Sequence, residues 1–85
     1  MERVIIVGKT YKHFKGKLYK VHFIARDSET NEEVVVYEAL YDKHIMWTRP
    51  YDMFNSKVDK EKYPDVKQEY RFELVNDRDN WRNSN

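Results

Sequence analysis

The strongest signal in the chain is an alternation of apolar and polar residues with a period of two, which predicts β-strands rather than helices. It is clearest in the segment Leu18–Arg26, where Tyr19, Val21, Phe23 and Ala25 share one face of an extended chain. We therefore predict a strand over this segment, with one face rich in large apolar side chains.

A second alternating segment, Val34–Tyr41, follows a polar stretch whose short side chains favour a hairpin loop. Its residues Val35, Tyr37, Ala39 and Tyr41 also share one face. The two segments are therefore predicted to pair as an antiparallel hairpin.

Shorter segments add strands to the predicted sheet. The β-branched run Arg3–Val7 is predicted to open it, and Ile45–Arg49 is predicted to extend it. Pro50 ends the latter strand, because proline has no backbone N–H and restricts the residue before it. The segments Lys57–Tyr63 and Gln68–Val75 are predicted to pair as a last hairpin.

These elements predict an all-β protein in which five to six short antiparallel strands, joined by tight turns, form a small closed or nearly closed barrel. Closure would remove the exposed strand edges that an open sheet presents. A single tight turn is predicted over residues 51–54, and the chain is expected to contain at most one helical turn. We predict one domain over residues 1–75 and a polar, disordered and flexible tail over residues 76–85.

Composition excludes several classes of function. The 85 residues include no cysteine, so a disulfide framework, a thiolate nucleophile and a cysteine-based zinc site are impossible. The apolar run Val4–Val7 is far short of the roughly 20 residues that cross a bilayer. We therefore expect a cytoplasmic protein with no membrane partner.

A cluster of basic residues near the start offers one possible binding surface. Aromatic residues are interleaved with four lysines, Lys9, Lys12, Lys15 and Lys17. In proteins that bind single-stranded nucleic acids, such lysines contact the phosphate backbone and the aromatic rings stack on the bases. The net charge of only +1 argues against a strong phosphate-seeking field. The alternative is a solvated strand edge that keeps a β-domain soluble.

A dense block of aromatic and turn residues runs from Tyr11 to Phe54. In order it contains the motifs Tyr-x-His-Phe-Lys-Gly, Tyr-x-Val, Ser-Glu-Thr, Val-Val-Tyr, Leu-Tyr, Trp-x-Arg-Pro and Met-Phe. This block resembles the bacterial family named domain of unknown function 1653 (DUF1653). The matching residues are Tyr11, His13, Phe14, Lys15, Gly16, Tyr19, Val21, Ser28, Glu29, Thr30, Val35, Val36, Tyr37, Leu40, Tyr41, Trp47, Arg49, Pro50, Met53 and Phe54.

The resemblance implies a small barrel of the SH3-like type and implies no known reaction. Many members of that family have His directly before Ser-Glu-Thr, where this chain has Asp27. Any role that depends on that histidine would be absent here.

The candidate ligand site is a group of aromatic residues around one arginine. Trp47 and Arg49 are two positions apart on a predicted strand and so point to the same side, as do Tyr37 and Tyr41 on the neighbouring strand. A guanidinium among aromatic rings would suit a carboxylate, a phosphate or a stacked base. The alternative, which we favour, is that the rings build the core while Arg49 bonds Glu29 or loop carbonyls.

Catalytic and metal chemistry have weaker support. His13, Glu29 and Arg49 form the only plausible polar trio for an enzyme acting on a small molecule. His13, His22 and His44 lack the short spacing of metal-ligand pairs, so no metal and no cofactor is predicted.

The leading hypothesis is a non-enzymatic binding or adaptor module whose partner is an unidentified protein or small-molecule ligand. Single-stranded nucleic-acid binding through the lysine-rich edge is the alternative, and an enzyme is the third possibility. The proposed ligand-binding residues are Tyr37, Tyr41, Trp47, Arg49, His13 and Glu29.

Overall fold

The computed structural model of the chain describes residues 3–75, which form five strands and one short helix. The strands are β1 (Thr10–His13), β2 (Leu18–Arg26), β3 (Glu33–Ala39), β4 (Met46–Pro50) and β5 (Phe72–Leu74), and the helix is α1 (Tyr51–Phe54). The predicted all-β class, with five antiparallel strands and at most one helical turn, is confirmed. The tail predicted over residues 76–85 lies outside the described residues.

All five strands belong to one antiparallel sheet in the order β4-β3-β2-β1-β5. The first and last strands of this order do not pair, so the sheet is open. The prediction of a closed barrel is therefore wrong, and the SH3-like type that the resemblance implied stays a prediction. The core does not require closure, because α1 and the segment before β1 cover one face of the sheet and supply Phe54 and Ile5 to its interior.

The core lies between that face of the sheet and α1. Its centre is the parallel stack of Phe54 on Phe72, whose ring centroids are 4.0 Å apart at an interplanar angle of 6°. Val35, Tyr37 and Ala39 of β3 are buried on the same side, as their alternation predicted. Large rings thus supply most of the apolar area that a small domain must remove from water.

β2 contains a β-bulge, because its register with β3 shifts between Val21 and Phe23. Val21 is fully buried, whereas Phe23 has 63 % of its surface exposed and Ile24 packs against the core. An extra residue in a strand moves every later side chain to the opposite face. The prediction that Phe23 and Ala25 share the face of Val21 is therefore wrong.

The segment Arg3–Val7 is not a strand, contrary to the prediction. Two tyrosine hydroxyls take the place of a neighbouring strand as hydrogen-bond acceptors. The Ile5 N–H donates to Tyr51 Oη over 2.9 Å, and the Ile6 N–H donates to Tyr11 Oη over 2.9 Å. These bonds satisfy backbone groups near the core and seat Ile5 within it.

The predicted last hairpin is also wrong. Lys57 and Tyr70 form one isolated bridge, and β5 pairs instead with β1. A turn interrupts the first half of the predicted hairpin, since the Tyr63 N–H donates to the Asp59 carbonyl and the Asp59 side chain accepts the Glu61 N–H. Within residues 3–75, no helix has the length and apolar character needed to cross a membrane.

Candidate functional site

The candidate site lies on the core face of the sheet, where β3 and β4 meet. The pairing places Trp47 opposite Tyr37 and Arg49 opposite Val35, so all four side chains lie on the same side. Tyr37, Trp47 and Arg49 border a depression of about 280 Å³, which we call the Arg49 pocket. Its lining residues are Tyr19, Tyr37, Tyr41, Trp47, Thr48 and Arg49.

Arg49 is held by aromatic side chains rather than by an acid. Its Nε donates to Tyr37 Oη over 3.1 Å, and its guanidinium carbon lies 5.6 Å from the centroid of the Phe72 ring. Within residues 3–75, no carboxylate forms an ion pair with Arg49, and its two terminal nitrogens donate no hydrogen bond. The predicted contact with Glu29 is not formed, because Glu29 is exposed in the β2–β3 loop.

Three tyrosines form one wall of the pocket. The hydroxyls of Tyr19 and Tyr41 are hydrogen-bonded over 2.8 Å, and the Tyr19 ring meets the Tyr37 and Tyr41 rings edge to face at 5.5 and 5.6 Å. Burial, followed by the bond to Tyr41, raises the pKa of the Tyr19 hydroxyl. The Tyr19 hydroxyl is therefore neutral and keeps its hydrogen at physiological pH.

The other wall is half open to solvent. Trp47 lies on β4, an edge of the sheet, and 48 % of its surface is exposed, whereas Tyr37 is buried. The structure thus divides the predicted aromatic group between the core and the surface. Tyr37 is part of the core and also reaches the pocket with its hydroxyl, and the Trp47 indole is accessible to a ligand.

His13 lies next to this pocket on β1. Its ring stacks on Phe14 at 4.4 Å, meets the Phe72 ring at 4.9 Å and meets the Tyr19 ring at 6.4 Å. The Lys15 backbone N–H donates to His13 Nδ1 over 3.1 Å. In the neutral ring the remaining nitrogen, Nε2, therefore carries the hydrogen and is a donor.

The ionisation of His13 is strongly shifted. Burial lowers its pKa to about 4, and the positive charges of Arg49, Lys15 and Arg71 contribute to the same shift. The imidazole is therefore neutral at physiological pH. A neutral ring beside an arginine does not add a repelling charge to the pocket.

The family model described as "Protein of unknown function (DUF1653)" matches residues 9–74. The chain belongs to the DUF1653 family. A crystal structure of a DUF1653 protein from Bordetella bronchiseptica is similar, with a TM-score of 0.69 and 35 % identity over 82 % of this chain and 87 % of that one. No curated protein matches the chain.

The family membership confirms the resemblance found in the motifs. The aromatic block from Tyr11 to Phe54 lies wholly within the matched region of this DUF1653 domain. The names of the family and of the similar structure state no ligand or activity. The function must therefore be inferred from the geometry of this DUF1653 domain.

Two pocket residues of the DUF1653 domain, Tyr19 and Thr48, were missed as site residues. Tyr19 shares the face of Val21, and its alternation suggested only a strand residue with a role in packing. Its side chain lines the pocket, where its hydroxyl is hydrogen-bonded to the Tyr41 hydroxyl. A tyrosine on a core-facing side of a strand can indicate a polar contact at that place, since a buried phenol needs a hydrogen-bond partner.

The lysines of the predicted nucleic-acid edge are divided by the fold. Lys12 points to the face of β1 opposite to Tyr11, while Lys9 precedes the strand. Lys15 and Lys17 lie in the β1–β2 turn at the other end, where Lys17 Nζ is 5.0 Å from the Tyr41 ring. These four residues therefore do not form one continuous edge.

The opposite face of the sheet carries a second polar cluster. The two carboxylate oxygens of Glu38 are hydrogen-bonded to His22 Nε2 over 2.7 Å and to His44 Nδ1 over 2.8 Å. The bond to His22, and then the bond to His44, hold the pKa of the Glu38 carboxyl below its usual range. Within residues 3–75, no group of three or more acidic or histidine side chains is arranged to hold a metal ion.

We expect Glu38→Gln to lower the Tm at pH 7 by roughly 1–4 °C. The substitution removes the carboxylate that bonds His22 and His44, and such contacts at the surface contribute modestly to the stability of the folded state. The pKa of Glu38 is depressed in the folded state, so its contribution is present above its unfolded value of 4.5 and is lost as the pH falls further. The difference between the two proteins should be smaller at pH 3 than at pH 7. Circular dichroism melts at both pH values test this, with Glu33→Gln on the same strand as the matched control. An equal difference at pH 3 would contradict the assignment.

Proposed function

We propose that this DUF1653 domain is a non-enzymatic binding module that holds a carboxylate-bearing ligand in the Arg49 pocket. The observation that carries the proposal is the state of Arg49. Its guanidinium borders an aromatic pocket, and its two terminal nitrogens have no hydrogen-bond acceptor within residues 3–75. A cation placed in this way can bind an anion from outside the chain.

A carboxylate fits this arrangement best. A guanidinium is planar and presents parallel N–H donors, which match the two oxygens of a carboxylate. The hydrogen bond from Arg49 Nε to Tyr37 fixes the plane of the group, so less side-chain entropy is lost on binding. Lys17, held over the Tyr41 ring, adds a cation at the side of the same pocket.

The remainder of the ligand would be apolar or aromatic. The half-exposed indole of Trp47 offers a flat surface next to the arginine. Aromatic side chains at such positions often supply most of the contact area in small binding sites. A small molecule or a peptide end that carries a carboxylate beside a ring would use both features.

Binding has more support than catalysis. The trio of His13, Glu29 and Arg49 would need the acid near the histidine, but no hydrogen bond or ion pair joins Glu29 to either partner. His13 Nδ1 already accepts a backbone N–H. A low pKa of about 4 also makes this imidazole a weak base near neutral pH.

The test is a titration with N-acetyl-phenylalanine, followed by ¹⁵N NMR and Trp fluorescence. Its amide, N-acetyl-phenylalanine amide, is the matched ligand without the charge. We expect Arg49→Gln to weaken binding of the acid by about 10- to 100-fold, the usual value of a charged hydrogen-bonded contact. Arg26→Gln, an exposed arginine of β2, is the matched control and should bind normally.

Equal binding of the acid and the amide would overturn the proposal, as would unchanged binding by Arg49→Gln. Melting curves of both variants establish that each is folded at the temperature of the titration. Nucleic-acid binding stays a less favoured prediction, because the fold separates the four lysines. The cytoplasmic location and the bacterial origin of the chain also stay predictions.

A further inference from the structure

We infer that a second site, distinct from the Arg49 pocket, binds the phosphate group of a phosphate-bearing ligand. It is a polar cleft of about 250 Å³ beside the β1–β2 turn, which we call the basic cleft. The residues that carry the argument are Phe14, Lys15, Asp59, Lys62, Tyr63 and Arg71. The basic cleft and the Arg49 pocket have no lining residue in common, so the two proposals are independent.

The cleft contains three cations that no acid neutralises. Lys15, Lys62 and Arg71 form no ion pair with any carboxylate within residues 3–75. By contrast, Lys57, which does not line the cleft, forms an ion pair with Glu69 at 3.4 Å. An uncompensated group of cations in a concave surface raises the local concentration of anions.

The one acid that lines the cleft is engaged in its own turn. Asp59 Oδ1 accepts the backbone N–H of Glu61 over 3.0 Å and that of Lys62 over 3.3 Å. These bonds hold the carboxylate toward the backbone of residues 59–62. Asp59 therefore orders the turn that carries Lys62, and two net positive charges remain in the cleft.

Aromatic rings position the cations. The Phe14 and Tyr63 centroids are 4.9 Å apart, and Lys15 Nζ lies 5.9 Å from the first and 5.7 Å from the second. Lys62 Nζ lies 5.6 Å from the same Tyr63 ring. Cation–π attraction of this kind restricts flexible lysines around one centre.

The backbone holds the third cation near the other two. The Phe14 N–H donates to the Arg71 carbonyl over 2.9 Å, and the Arg71 N–H donates to the Ser56 carbonyl over 3.0 Å. Residues that are remote in the sequence are thereby joined at one place. Three donors around a polar cleft suit a group with three acceptor oxygens, whereas one guanidinium fork suits a carboxylate.

His13 offers a built-in sensor for an anion in the cleft. It lines the cleft, and the charges of Lys15 and Arg71 help to lower its pKa. A bound phosphate would offset those charges, so the pKa of His13 should rise on binding.

The test uses the full chain at low ionic strength, titrated with inorganic pyrophosphate and with an oligothymidylate of about eight nucleotides. ¹⁵N NMR shifts report the site, and the ring protons of His13 report its pKa. Lys62→Gln/Arg71→Gln is compared with Lys12→Gln/Lys20→Gln, which removes the same charge from the opposite face of the sheet. We expect the first variant to weaken pyrophosphate binding at least about tenfold and the second less than about twofold.

The two probes separate the sources of the phosphate. Tighter binding of the oligonucleotide, with an affinity that falls steeply with salt, would assign the site to a nucleic-acid backbone. Equal or tighter binding of pyrophosphate would assign it to a small phosphorylated ligand. Failure of both probes to bind, or equal weakening by the two double variants, would overturn the inference. Arg49→Gln should leave pyrophosphate binding unchanged, which separates this result from that of the Arg49 pocket.

Discussion

We expect Phe72→Ala to lower the free energy of unfolding by about 3–5 kcal/mol, the usual cost of removing a buried phenylalanine. Phe72 has 1 % of its surface exposed, and its ring stacks on Phe54 at the centre of the core. It also meets the rings of Tyr19 and Tyr37 at 5.6 and 5.7 Å. Small domains have a stability of about 5 kcal/mol or slightly more, so much of the variant should be unfolded at room temperature.

Urea unfolding followed by circular dichroism measures this effect, and the chain provides a matched control. Phe23→Ala makes the same chemical change on the outer face, where Phe23 is mostly exposed. We expect it to cost less than about 1 kcal/mol, since little buried area is lost. Similar losses of unfolding free energy for the two variants would mean that Phe23 packs in the core, and this would contradict the bulge in β2.

The second large effect is acid destabilisation through His13. Its pKa is about 4 in the folded protein, against 6.5 for an exposed histidine. As the pH falls below 6.5 the unfolded chain takes up the proton first, so stability present above that value is lost down to about pH 4. Each pKa unit corresponds to about 1.4 kcal/mol, and screening at this partly exposed ring reduces the total loss to about 1–2 kcal/mol.

Urea unfolding at pH 7 and at pH 4.5, compared between the parent and His13→Gln, measures this contribution. Carboxylates also titrate in this range, so the difference between the two proteins carries the information rather than either curve. We expect the parent to lose more stability than His13→Gln between the two pH values. Parallel losses would show that the imidazole ionises as easily in the folded state as in the unfolded chain.

The sequence was a good guide where a strand is regular. In β3 the alternation of Val35, Tyr37 and Ala39 predicts the buried face correctly, because the extra residue of the bulge lies in β2 and β3 itself stays regular. The same reasoning failed after Val21 in β2, since a bulge depends on the partner strand and leaves no mark in the alternation itself. Local pattern predicts a face only while the register holds.

Errors at the ends of the domain have a related cause. Arg3–Val7 has the composition of a strand, but the hydroxyls of Tyr11 and Tyr51 accept its N–H groups. That outcome depends on where two distant side chains come to rest. The closed barrel was an inference from the number of short strands, their tight turns and the removal of exposed edges, and it did not anticipate that α1 would cover the sheet.

The candidate site was predicted in part. The two-residue spacing of Trp47 and Arg49 placed both on one side, and the register with Tyr37 brings the rings to that side. Glu29 was assigned to the site from its residue type and not from its position, and it lies in an exposed loop. The basic cleft was not predictable, because its cations are brought together only by the fold.

The bulge in β2 bears on how the chain is compared with its relatives. Removal of His22 would restore an unbroken alternation while Val21 and Ile24 kept their places in the interior. A relative with one residue fewer at this point could therefore retain the same core, and the correct alignment would contain a gap in the middle of a strand. Forcing such sequences into register without the gap would match interior positions of one protein with surface positions of the other.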